Sequence, residues 1–140
     1  MRTNLILILA VILYGIWGIA NKFAVGRAHP FAVQWMFAIP LVVSLPIFFW
    51  LGARSAPETN HDATALLWAV VASAASILAT VLLYFALRER PASIVVAITS
   101  GYPLVTLVFA VLAGTETLTL PKLAGVVLMF SGVVLLQASG

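Results

Sequence analysis

The feature that most constrains this chain is where its charges are absent. Its seven Lys or Arg and four Asp or Glu residues leave five charge-free windows, 3–21, 28–53, 63–87, 91–115 and 123–140. Each window is 18 residues or longer, and together they cover 113 of the 140 residues. A bilayer core about 30 Å thick takes about 20 helical residues to cross. Soluble domains are about one quarter charged and about half apolar, whereas this chain is 8% charged and 64% hydrophobic. The pattern excludes a water-soluble enzyme and a disordered linker, and it predicts a polytopic membrane protein.

The windows are about twice as long as an outer-membrane strand and do not alternate polar with apolar residues, so helices are expected. Five are expected, at about 3–24, 31–51, 64–87, 91–113 and 120–138. They leave one domain, residues 1–140, with no extramembrane catalytic module. The apolar run Leu5–Ala20 is read as a retained first helix, because it is long for a signal peptide and no small-x-small cleavage site closes it. Gly26 and Pro30 break the first link. Pro40 and Pro46 predict a kink in the second helix. Gly52–Ala63 is the one long loop, and Trp50 and Trp68 flank it like an interfacial aromatic belt. Asp62 or Thr64 is placed to cap the third helix, and Pro91 to enter the first turn of the fourth. Pro103 falls inside the fourth, and Thr119 with Pro121 starts the fifth. Glu116 is expected at a membrane surface, linking to that helix start.

The net charge is +3, but the basic residues stand singly between spans and form no nucleic-acid patch. Five spans put the termini on opposite sides. Arg2, Arg54 and Lys122 then lie on the N-terminal side, and Lys22, Arg27, Arg88 and Arg90 on the other. The positive-inside rule barely separates three from four: a margin of one would place the N-terminus outside. The near balance reads either as insertion in both orientations or as a noisy count from short loops with few charges.

Polar groups inside the spans need a reason, because hydrocarbon penalises them. Tyr14, Gly18, Asn21 and Lys22 share a face of the first helix, with Trp17 beside them. Gly15 and Gly18 leave room there, either for an amphiphilic molecule or for a neighbouring helix. Lys22 is either an anion-binding group or a side chain that snorkels to the interface and positions the helix. Ser73, Ser76, Thr80 and Tyr84 form a stripe on the third helix, and Thr99, Ser100, Pro103 and Thr106 mark the fourth. Pro103 frees a carbonyl within the membrane, which is tolerated where the backbone lines a cavity or packs in protein. The residues expected to line a substrate path are Tyr14, Trp17, Asn21, Lys22, Ser73, Ser76, Thr80, Tyr84, Thr99 and Pro103.

There are no cysteines, no His/Glu pair at metal spacing, no phosphate loop and no nucleophile elbow. His29 and His61 lie in links. No catalytic residue, metal or cofactor is expected, and no enzyme. No carboxylate sits in mid-helix, which removes the simplest proton-coupled exchange.

Several segments, in order, look familiar. Tyr14-Gly-Ile-Trp-Gly-Ile-Ala-Asn-Lys22 resembles the first-helix pattern of the drug/metabolite transporter superfamily, EamA-like branch. Tyr84-Phe-Ala-Leu-Arg-Glu-Arg-Pro91 is similar to its third-to-fourth helix corner. Pro103, Glu116-Thr-Leu-Thr119 and Gly125 match further positions. Val33-Gln-Trp-Met-Phe37 stands where members often carry Arg, and Thr117 where a basic residue is common. The chain also resembles small multidrug resistance proteins, but it has a fifth helix and carries Tyr14 near their helix-one Glu. The resemblance implies one EamA-like repeat, an all-α membrane protein that pairs with an inverted second copy to place a site at the repeat interface. It implies a secondary transporter of small organic metabolites or drugs in the inner membrane, acting by alternating access as an antiparallel homodimer. The alternatives are a heterodimer with a paralogue and a non-transporting accessory membrane subunit.

Overall fold

The computed structural model describes residues 2–55 and 62–138. Among these, six helices form: α1 (Arg2–Val25), α2 (Pro30–Ser55), α3 (Ala63–Glu89), α4 (Ala92–Thr99), α5 (Tyr102–Leu112) and α6 (Leu120–Ala138). They supply five candidate spans, Thr3–Val25, Pro30–Ser55, Ala63–Glu89, Ala92–Leu112 and Leu120–Ala138. Nearly all of their large apolar side chains are exposed, as suits surfaces that meet lipid or another subunit rather than water.

Where the elements differ from expectation, the backbone chemistry gives the reason. α2 begins at Pro30 rather than Phe31 and continues to Ser55, four residues past Leu51. His29 enters as its N-cap: the Phe31 N–H donates to His29 Nδ1 at 3.3 Å and the Val33 N–H to the His29 carbonyl at 3.0 Å. α2 runs as one helix through Pro40 and Pro46. Residues 56–61 of the expected loop, including His61, lie outside the described residues. Asp62 caps α3, its Oδ1 accepting the Thr64 N–H at 2.8 Å and the Ala65 N–H at 3.4 Å. Pro91 precedes the fourth span instead of entering it, because its ψ of 142° is extended.

The fourth span is not one helix. It breaks at Ser100–Gly101, and Pro103 stands in the first turn of α5 rather than in a helix interior. Proline has no N–H for the Thr99 carbonyl four residues back. The chain tightens there, with Gly101 N–H bonding to Ile98 O at 3.0 Å and Leu104 N–H to Gly101 O at 3.1 Å. A Cβ on Gly101 would sit 3.1 Å from the Ile98 carbonyl, so the break favours glycine. α5 ends on Gly114, at φ +70°, with Thr115 N–H reaching Ala110 O and Gly114 N–H reaching Val111 O, both at 3.0 Å. This left-handed cap turns the chain toward α6.

The chain divides into two compact units, one of Met1–Ile19 with Glu89–Gly140 and one of Ala20–Arg88. In the first, α4 packs on α6. Gly18 lies against Val96, whose Cγ2 would be 3.0 Å from an added Cβ. The room at Gly18 is therefore taken by a neighbouring helix, while Gly15 faces open space. Among the described residues of the second unit, the buried ones are Asn21, Val25, Pro30, Val33, Leu83, Tyr84 and Leu87. All lie near the α1–α2 link or the end of α3, so this unit's core sits at one membrane end. At the other end the Arg54 guanidinium lies 4.1 Å over the Trp50 ring, a cation–π contact suited to an interfacial anchor.

Candidate functional site

In the Ala20–Arg88 unit, three helix ends are tied together. The Lys22 ammonium, on α1, donates to the Leu87 carbonyl in the last turns of α3. Late carbonyls in a helix and the negative end of its dipole favour a cation there. Phe31 at the start of α2 meets Phe85 of α3 edge to face at 5.6 Å, and His29 contacts both rings at 5.3 and 5.8 Å. The same unit holds three polar side chains with buried atoms. Asn21 Nδ2, Gln34 Oε1 and the Tyr84 hydroxyl are shielded and have no hydrogen-bond partner among the described residues. Asn21 is 6% exposed and Tyr84 is fully buried. A buried polar group left unpaired costs about 1–3 kcal/mol, so a chain that keeps three such groups has a use for them or a partner to supply.

The other expected path residues have different surroundings. In the unit containing Ile19 and earlier residues, Tyr14 is 68% exposed and Trp17 is half-buried. Ser73 and Ser76 are exposed on α3. Thr80 turns its hydroxyl back to the Ser76 carbonyl at 2.7 Å. Thr99 does the same to Val95 and Val96 at 2.9 and 3.1 Å, and Ser100 to Val96 at 2.7 Å. Such back-bonding satisfies a hydroxyl within its own helix and bends the helix slightly. The Thr99 and Ser100 bonds converge on the last turn before the break.

Pro103 lines a recess of about 410 Å³ formed with Tyr102, Thr106 and Leu107 of α5, and with Gly125, Val126 and Met129 of α6. Glu116 and Lys122 stand at its edge, joined at 2.5 Å and each roughly half exposed. Lys122 also donates to the Thr117 carbonyl at 3.1 Å. Glu116 thus links the end of the fourth span to the start of α6, as its position in the sequence suggested. The recess is mostly apolar and suits a hydrocarbon body.

Sequence reasoning did not assign Gln34. Its signal was present, for it is one of only two residues with an amide or hydroxyl side chain, with Ser44, in the 28–53 window. Nor did it assign Tyr102 to a site, and it read Met129, with Lys122, Gly125 and Gly132, only as a packing face. Both line the recess only because α5 and α6 face each other.

Among the described residues no group of three or more His, Asp or Glu could hold a metal ion. What the arrangement can do is bind and release through hydrogen bonds, aromatic faces and a break in the fourth span. The EamA-like transporter family matches residues 1–137. The chain is also 31% identical over 140 residues to an uncharacterized protein of Methanocaldococcus jannaschii, with 99% of each chain covered. No solved structure matches. A multi-pass, all-helical chain with five candidate spans, matched over nearly its whole length, belongs to the EamA-like transporter family.

Proposed function

We propose that this chain is one half of a secondary transporter that moves small organic metabolites or drugs by alternating access, as an antiparallel homodimer in the inner membrane. The observation that carries the reading is the family match over residues 1–137 to a chain holding five candidate spans. Inverted repeats in transporters build their sites from paired copies, with discontinuous helices at the site. The fourth span, broken at Ser100–Gly101, fits that pattern. The relative matched over 99% of its own length is a similarly short chain. The three-to-four balance of basic residues across the membrane supports insertion both ways.

In this reading Tyr14 and Trp17 contact the substrate through ring faces, a hydroxyl and an indole N–H. Asn21 and Tyr84 offer amide and phenol groups. Lys22 positions α1 against α3, and the Ser73, Ser76 and Thr80 stripe with Thr99 and Pro103 completes the path. No covalent chemistry is required of any residue.

Two measurements test it. C-terminal reporters active on opposite sides of the membrane should both give signal, and a single orientation with no partner would overturn the antiparallel homodimer. Proteoliposomes holding only this chain should show flux that Tyr14→Ala or Trp17→Ala abolishes. Flux appearing only with a second, co-purified chain would assign a heterodimer with a paralogue, and no flux in either case would leave an accessory subunit.

A further inference from the structure

The three unpartnered polar atoms share a depth. Asn21 lies four residues before the end of α1 at Val25, Gln34 four after the start of α2 at Pro30, and Tyr84 five before the end of α3 at Glu89. At 1.5 Å per residue each is about 6–8 Å in from its helix end, and all three ends are on one membrane side. The Lys22–Leu87 hydrogen bond ties α1 to α3, and the Phe31–Phe85 contact ties α2 to α3. So three tethered helices each present one orphaned group at one level. The groups are complementary in kind: Asn21 Nδ2 donates, Gln34 Oε1 accepts, and the Tyr84 hydroxyl does both. Val25, Val33, Leu83 and Leu87 are buried apolar residues of the same helix ends.

We propose that Asn21, Gln34 and Tyr84 form a binding site for an uncharged amphipathic molecule whose polar end carries both a donor and an acceptor, as a primary carboxamide does. This rests on the transport reading only in making that molecule the cargo. Neutral chemistry is favoured because the charges nearby are already engaged or exposed. The Lys22 ammonium is spent on Leu87. Asp62, the one described carboxylate of this unit, caps the far end of α3. Glu89 is exposed, between Arg88 and Arg90. A cation would find no carboxylate at this level, and an anion would leave the Gln34 oxygen facing like charge.

The test uses the full chain in lipid nanodiscs and three probes of one shape: benzamide, benzoate and benzamidinium. Benzamide is expected to bind tightest by calorimetry. Gln34→Met, Tyr84→Phe and Asn21→Leu should each weaken it about three- to tenfold, the value of one hydrogen bond. Each should also raise the melting temperature of the unliganded protein, because each removes a buried group without a partner. Tighter benzoate or benzamidinium binding, or no benzamide binding, overturns the proposal. So does a lowered melting temperature in Gln34→Met and Tyr84→Phe with benzamide affinity unchanged, which would mark the groups as structural. Benzamide binding without flux would sink the transport reading and keep the site. Flux insensitive to all three variants would do the reverse.

Discussion

Two spans carry proline, and they respond differently. α2 holds Pro40 and Pro46 and keeps its helix from Pro30 to Ser55. The fourth span holds only Pro103, yet it separates into α4 and α5. Proline alone therefore does not break a span. Each proline removes one N–H, and α2 absorbs both losses within a continuous helix. In the fourth span the lost bond coincides with Gly101 two residues earlier and with Thr99 and Ser100 hydroxyls pulling on the preceding turn. Sharp breaks gather where proline, glycine and serine act on one turn. A discontinuous span in a transporter is where backbone groups become available to a substrate.

The comparison can be broken most forcefully at Gly101. Gly101→Leu puts a Cβ 3.1 Å from the Ile98 carbonyl, and such overpacking costs about 1–3 kcal/mol. Flux in proteoliposomes should fall more than about tenfold if the break is functional, given that 1.4 kcal/mol is a factor of ten. Unchanged flux would make the break incidental. Pro103→Ala is next. It returns an N–H to the Thr99 carbonyl and lets α4 and α5 join, with stability rising by about 1 kcal/mol. Slower hydrogen exchange across residues 99–104 with severalfold lower flux is the expected pair of results.

Pro40→Ala is the matched control in the span that stays whole. It should change flux less than about twofold while adding about 1 kcal/mol of stability by thermal melting. A flux loss equal to that of Pro103→Ala would erase the distinction between the two spans. The smallest effect is expected at Glu116→Gln, which breaks a half-exposed ion pair with Lys122. Exposed pairs contribute about 0–1 kcal/mol, so the melting temperature should barely move and flux should persist. A large loss would tie the turn after α5 to the working of the break.

Much of the fold was legible from the charges, because a bilayer turns a missing charge into a span and a present one into a link. Asp62 could be read as a cap, and Glu116 as a bridge to α6, because both depend on neighbours a few residues away. The hydroxyl stripes were legible as positions but not as contacts. Thr80, Thr99 and Ser100 turn out to bond carbonyls of their own turns, a choice that a helical wheel does not display. Gln34 was less legible, because a single amide in an apolar window carries no record of the helix that will bury it.

By itself, then, the sequence determined the number of spans, their links and the family, since each follows from length, polarity and local order along the chain. Only the tertiary structure decided that the fourth span breaks at Ser100–Gly101, that Gly18 is filled by Val96, and that Asn21, Gln34 and Tyr84 meet one level of a three-helix end. Those outcomes depend on which helix faces which, and a uniformly apolar span carries little record of its facing. In water the apolar stripe would have marked the buried side. In lipid every side is apolar, and only packing chooses among them.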